Sequence, residues 1–113
     1  MQQLSGPAAL ALAAAHAADS LPVLFLDVRE PWEVATAALA APGASHLFVP
    51  MREIPSRLDE LDPAQPVVCI CHHGARSAQV VAFLERAGFE SVYNLAGGID
   101  AWSFEVDASV PRY

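Results

Sequence analysis

Residues 66–77 read Pro66-Val67-Val68-Cys69-Ile70-Cys71-His72-His73-Gly74-Ala75-Arg76-Ser77. Val67, Val68, Cys69 and Ile70 make the most strongly apolar short run in the chain. An uninterrupted run of this kind is the mark of a strand covered on both faces. A loop over 71–76, with Gly74 inside it, follows directly. A helix over 77–87 comes next, with Val80, Val81 and Leu84 on one face and Gly88 as the residue that stops it.

The same alternation extends outward in both directions. Ser5 is a good N-cap and Pro7 suits a first turn, so a helix is expected from there to about Ala18. Val23-Leu24-Phe25-Leu26-Asp27-Val28 is a second apolar strand. A helix over 31–39 begins at Pro31 and is broken by Ala41-Pro42-Gly43. A short strand covers 46–49, and a short helix over 56–61 ends at Asp62-Pro63. Beyond the central unit, 91–94 reads as a strand, and Gly97-Gly98 leads into a last helix through Trp102. Strands and helices alternating with short connections predict an α/β fold of three layers, α/β/α. Its central parallel sheet has four to five strands, with helices on both faces.

Length and charge narrow the function. A chain of 113 residues suits one small globular domain, residues 1–113. It has six arginines, no lysine and thirteen acidic residues, for a formal net charge of −7. A surface that tracks nucleic-acid phosphates needs clustered cations, so nucleic acid is not an expected partner. No run of eighteen apolar residues is present, so no membrane span is expected. The stretch 8–18 imitates a signal-peptide core, but no Lys or Arg precedes it and His16 interrupts it. It reads as the first helix, and a soluble, cytoplasmic protein is expected. Two cysteines two residues apart on a strand lie roughly 6.6 Å apart at Cα, near the limit for a disulfide, so no structural bridge is expected.

Functional groups in parallel sheets collect at the carboxyl ends of strands. Only one strand here ends in a chemical constellation, and Cys71 stands at that end. A tight loop entering a helix turns backbone N–H groups inward and forms an anion-binding nest at the positive end of the helix. Gly74 permits the required backbone angle. A thiolate is the form such a nest favours. Arg76 adds a permanent positive charge at the rim. These residue types suit a nucleophilic sulfur that handles an anionic substrate.

The chain resembles the single-domain rhodaneses, sulfurtransferases of the thiosulfate type. Leu26-Asp27-Val28-Arg29-Glu30-Pro31-Trp32-Glu33 is similar to the first signature of that family, and Pro42-Gly43-Ala44 with Val49-Pro50 to its second. Residues 71–77 match its active-site loop, and Leu95-Ala96-Gly97-Gly98-Ile99-Asp100-Ala101-Trp102 resembles its terminal signature. The resemblance implies that Cys71 is the catalytic residue. It would take sulfur from a small donor such as thiosulfate and hold it as a persulfide. It would pass that sulfur to cyanide, a cellular thiol or a protein acceptor. His72, His73, Gly74, Ala75, Arg76 and Ser77 would form the substrate-binding loop, with no cofactor and no metal. Related phosphatases of the same fold carry five residues between cysteine and arginine. Here there are four, His72 to Ala75, which fits a single sulfur atom better than a phosphate. The competing function is a non-catalytic or partner-dependent sulfur relay or binding module.

Other residues receive plainer readings. Cys69 packs as a small hydrophobe, with a resolving thiol as its alternative role. Cys69, Cys71, His72 and His73 lie too close in sequence to surround a tetrahedral ion. His72 and His73 read as solvent-facing loop residues, with substrate binding as their alternative role. Relatives active on thiosulfate often carry a basic residue in this loop before the arginine, where this chain has His72, His73, Gly74 and Ala75. If a protonated histidine recruits the anion, donor use falls as pH rises through about 6 to 7. Asp27 and Arg29 orient the neighbourhood of the loop, with Arg29 a candidate second anion contact. Trp32 and Trp102 read as packing residues, His46 as structural and Gly97-Gly98 as a backbone turn.

Overall fold

Side-chain alternation along the strands divides the core in two. Leu24, Leu26, Val67, Cys69 and Val92 point to one side of the sheet, where they meet Val80, Val81 and Leu84. Phe25, Val68, Ile70 and Leu95 point to the other, against Ala9, Ala13, Ile99 and Trp102. The period of two in a strand forces this split, and helices on each side bury both faces.

The computed structural model describes residues 1–113. In chain order the elements are β1 Gln2–Leu4, α1 Gly6–Ala15, β2 Leu24–Asp27, α2 Pro31–Thr36 and β3 Ser45–Phe48. Two 3-10 segments follow, Met51–Glu53 and Pro55–Glu60. Then come β4 Val67–Ile70, α3 Ala75–Arg86, β5 Val92–Leu95 and α4 Gly98–Glu105. All strand pairs are parallel, in the order β1-β5-β4-β2-β3. From β2 the chain moves outward to β3, and from β4 it moves outward the other way to β5. The direction reverses between β2 and β4, so their carboxyl ends frame a crevice.

The three-layer α/β architecture is as the sequence implies, and several local features differ. The fifth strand is β1, whose residues are largely exposed and carry no apolar run. It exists because Gln2, Gln3 and Leu4 pair in register with Tyr93, Asn94 and Leu95. The segment expected as a helix over 56–61 is a 3-10 helix with a kink at Arg57. α1 stops at Ala15, where His16 closes it. α2 stops at Thr36, because Ala37 is already extended.

The helix expected from Ser77 begins two residues earlier, at Ala75, because Gly74 serves as its cap at φ 106°. Ala75 and Arg76, expected in the loop, therefore belong with Ser77 to the first helical turn. Trp102 is in the core, whereas Trp32 is 64% exposed at the start of α2, its ring set edge-to-face with Tyr113. His46 is structural: its Nε2 accepts the Ala41 N–H and its ring leans on Phe25.

Candidate functional site

Cys71 is the first residue after β4, in the crevice between the ends of β2 and β4. It is 1% exposed and is a free thiol. Its Sγ accepts the Gly74 N–H at 3.0 Å and lies 3.2 Å from the Ser77 hydroxyl. Ser77 Oγ donates to Asn94 Oδ1 on β5. The Asn94 amide donates in turn to the Gly74 carbonyl and to Gln3 Oε1, each at 3.0 Å. With its single proton given to Asn94, Ser77 turns a lone pair toward the sulfur. When the sulfur is ionised, the hydroxyl can turn from Asn94 to Sγ.

The turn around the sulfur is held from outside. Ile99 N–H donates to the Cys71 carbonyl at 2.9 Å and Asp100 N–H to the His72 carbonyl at 3.2 Å. The start of α4 thus takes up the outward-facing carbonyls of the turn. Only a glycine fits at position 98: its φ is +63°, and a Cβ there would run into the Cys71 and His72 carbonyl oxygens. The N–H groups of His72, His73, Ala75, Arg76 and Ser77 bond to no acceptor in the protein. Those of Ala75, Arg76 and Ser77 open the twelve-residue α3, whose dipole adds positive potential there. With the Gly74 N–H already on the sulfur, a run of unpaired donors in the same short segment suits negative charge.

Arg76 does not stand free at the rim. It forms a two-pronged ion pair with Glu33 of α2, at 2.6 and 2.8 Å. Glu33 also accepts the Glu30 N–H and the Tyr113 hydroxyl, and it is 3% exposed. The Arg76 guanidinium holds its carboxyl down at about 2. Arg29 is fully buried and is not an anion contact. Its guanidinium is occupied by Asp27, by the Glu33 and Ala37 carbonyls and by the Tyr113 oxygen. Asp27 and Arg29 brace the end of β2, in keeping with an orienting role.

Glu33 therefore ties α2 to the loop, with a pH signature. Its carboxyl lies below its ordinary 4.5 in the folded protein, so its contribution is complete above about pH 4.5 and is lost as pH falls through about 2. That shift corresponds to about 3 kcal/mol. Glu33→Gln is expected to lower unfolding stability by about that amount at pH 7. Denaturant unfolding at descending pH is expected to show the gap to the parent closing; a gap constant from pH 7 to pH 2.5 would contradict the assignment.

His72 and His73 do not converge on a common point. Their rings stack on each other at 3.9 Å, and the other face of His72 stacks on Tyr113 at 3.9 Å and 9°. Burial and the neighbouring His73 push the His72 imidazole below its ordinary range, so it is uncharged near neutral pH. A charged His72 is correspondingly less available to recruit an anion. His73 is 65% exposed at its side chain, with Asp100 at 3.9 Å. Cys69 is fully buried, and that burial pushes its thiol far up. It stays protonated in the core and does not serve as a resolving nucleophile.

The structure thus brings Cys71 and residues 72–77 into one turn. It adds four residues that sequence reasoning passed over: Glu33, Asn94, Gln3 and Tyr113. Asn94 carried a usable signal, since asparagine is disfavoured inside strands and, when buried, needs partners.

The sequence pattern of the rhodanese-like domain family matches residues 10–105. A sulfurtransferase of Allochromatium vinosum is 43% identical over 86 residues, covering 76% of this chain and 77% of that protein. The thiosulfate sulfurtransferase GlpE of Actinobacillus pleuropneumoniae is 47% identical over 45 residues, 40% of this chain and 42% of that one. A rhodanese-like/PpiC domain-containing chloroplast protein of Arabidopsis thaliana is 41% identical, and this chain spans only 30% of its length. Among solved structures, a rhodanese-like domain protein from Staphylococcus aureus superposes with a TM-score of 0.73 at 28% identity, over 100% of this chain and 99% of that one. The polysulfide-sulfur transferase of Wolinella succinogenes gives 0.71 at 30% identity, over 93% and 74%.

Proposed function

The chain belongs to the rhodanese-like domain family, and on that premise we propose that it is a sulfurtransferase working through a persulfide on Cys71. The observation that carries this reading is the Cys71 sulfur at the end of β4, bonded to the Gly74 N–H and beside the Ser77 hydroxyl, at the start of α3. The relatives named sulfurtransferase support the reaction class.

In the first half-reaction the Cys71 thiolate attacks the outer sulfur of a donor such as thiosulfate. The S–S bond of the donor breaks, and sulfite leaves with its electron pair. Cys71 then carries a persulfide anion. In the second, cyanide or a cellular thiolate attacks the outer persulfide sulfur and leaves as thiocyanate or a new persulfide, and the Cys71 thiolate returns. Charge balances in both steps, and no electrons come from outside.

The loop N–H groups and the start of α3 stabilise the anionic sulfur. His72, His73, Gly74, Ala75, Arg76 and Ser77 form the binding turn, and their backbone does most of the binding. Arg76 acts chiefly through Glu33, as a brace on the turn. No helix is long and apolar enough to cross a membrane. The free thiols suit a reducing compartment such as the cytoplasm, and residues 1–113 act as one domain.

A two-step covalent cycle has a kinetic signature. Initial rates with thiosulfate and cyanide, each varied against the other, are expected to give parallel double-reciprocal lines. Intersecting lines would require both substrates to be bound together and would exclude this mechanism.

A further inference from the structure

The family pattern ends at residue 105, yet the segment beyond it reaches back to the Cys71 turn. Val110 is buried in the core on the α1 and α4 side. Arg112 donates to Asp100 of α4 at 2.9 Å and lies over the Phe104 ring at 4.0 Å. These contacts dock the segment without help from Tyr113. The Tyr113 side chain then joins two otherwise separate groups. Its hydroxyl donates to Glu33 Oε2 at 2.7 Å and accepts from Arg29 Nη1 at 3.0 Å. Its ring lies flat on His72, with Trp32 against it at an angle of 77°.

A phenol suits this place. It has one proton for the carboxylate and a lone pair for the guanidinium. Burial raises the hydroxyl to about 12, so the proton stays. Phenylalanine would leave Glu33 Oε2 to Arg76 alone. A small aliphatic residue would also uncover His72.

We propose that Tyr113 is a positioning residue for the Cys71 turn: its hydroxyl holds Glu33 against Arg76 and its ring fixes His72, so the turn meets the donor in one preset shape. This rests on the sulfur-transfer reading above. Tyr113 makes no hydrogen bond to the Cys71 sulfur and acts through Glu33 and His72. Its effect falls on the loading step, where the N–H groups must face the developing charge together.

The test compares the parent with Tyr113→Phe and Tyr113→Leu by two readouts. The first is the NMR titration of the His72 ring, which is faced by His73, by Asp100 on α4, by Glu33 on α2 and by Tyr113 itself. Tyr113→Leu is expected to raise the His72 midpoint, because the covering ring is gone, and Tyr113→Phe to leave it unchanged. The second is single-turnover sulfur loading from thiosulfate. Tyr113→Leu is expected to load roughly tenfold more slowly at saturating donor, with the half-saturating donor concentration within about twofold of the parent. Tyr113→Phe, which keeps the ring, is expected to recover to within roughly threefold.

An unmoved His72 midpoint in Tyr113→Leu overturns the proposal. So does a loading rate within twofold of the parent. If the parent itself takes up no sulfur, the transfer reading fails instead, and the His72 midpoint alone decides whether Tyr113 fixes the turn.

Discussion

Cys71→Ser is expected to reduce sulfur transfer by on the order of a thousandfold or more while leaving the fold in place. Serine fits the 1%-exposed site and can still accept the Gly74 N–H. A hydroxyl at neutral pH is a poor nucleophile toward sulfur, and its product would not be a persulfide. The cost in stability is within about 1 kcal/mol, because volume and hydrogen bonding are nearly kept. Thiocyanate formation together with the circular dichroism melt separates the two effects. Activity surviving in a folded Cys71→Ser protein would mean that another group carries the sulfur. The only other cysteine, Cys69, is sealed in the core, so the whole mechanism would then fall.

The second large effect is expected at Gly98→Ala. A single methyl there meets the Cys71 and His72 carbonyl oxygens, and both are backbone atoms that cannot swing aside. The backbone angle of +63° adds strain of its own. Relief requires α4 to retreat, which breaks the Ile99 and Asp100 bonds to those carbonyls. A loss of about 3 kcal/mol or more is expected, together with loss of sulfur loading. Gly88→Ala provides the control. Gly88 has a φ of +95°, and a Cβ there meets nothing within 4 Å. It is expected to show the backbone cost alone, about 1 kcal/mol, with loading intact. Equal stabilities for the two variants would contradict the close approach of α4 to the turn.

The sheet was largely legible because buried parallel strands announce themselves. Val67-Val68-Cys69-Ile70 and the run around Leu24-Phe25-Leu26 admit few other readings. β1 was not legible, since its three residues are held by pairing with β5 rather than by their own pattern. The start of α3 was misplaced because the decisive event is the left-handed turn at Gly74, which suits a loop or a cap equally well.

The chemistry was legible where it is local: cysteine, glycine and arginine lie within six consecutive residues. The supports were not, because they are distant in sequence. Glu33 is forty-three residues from Arg76 and Tyr113 eighty from Glu33. Nothing in a helical glutamate or a tyrosine after Pro111 states that the two will meet. The sequence shows the Arg76 charge at the rim but not its partner, which comes from α2. His72 was open to reading as a charged recruiter because the ring that covers it comes from beyond α4.

The central claim is that Cys71 carries sulfur, and intact-protein mass spectrometry after exposure to thiosulfate tests it most directly. The predicted result is a gain of about 32 Da, one sulfur atom, on the peptide containing Cys71. Cyanide should remove it, and Cys71→Ser should not acquire it. No gain, or a gain that persists in Cys71→Ser, would contradict the account.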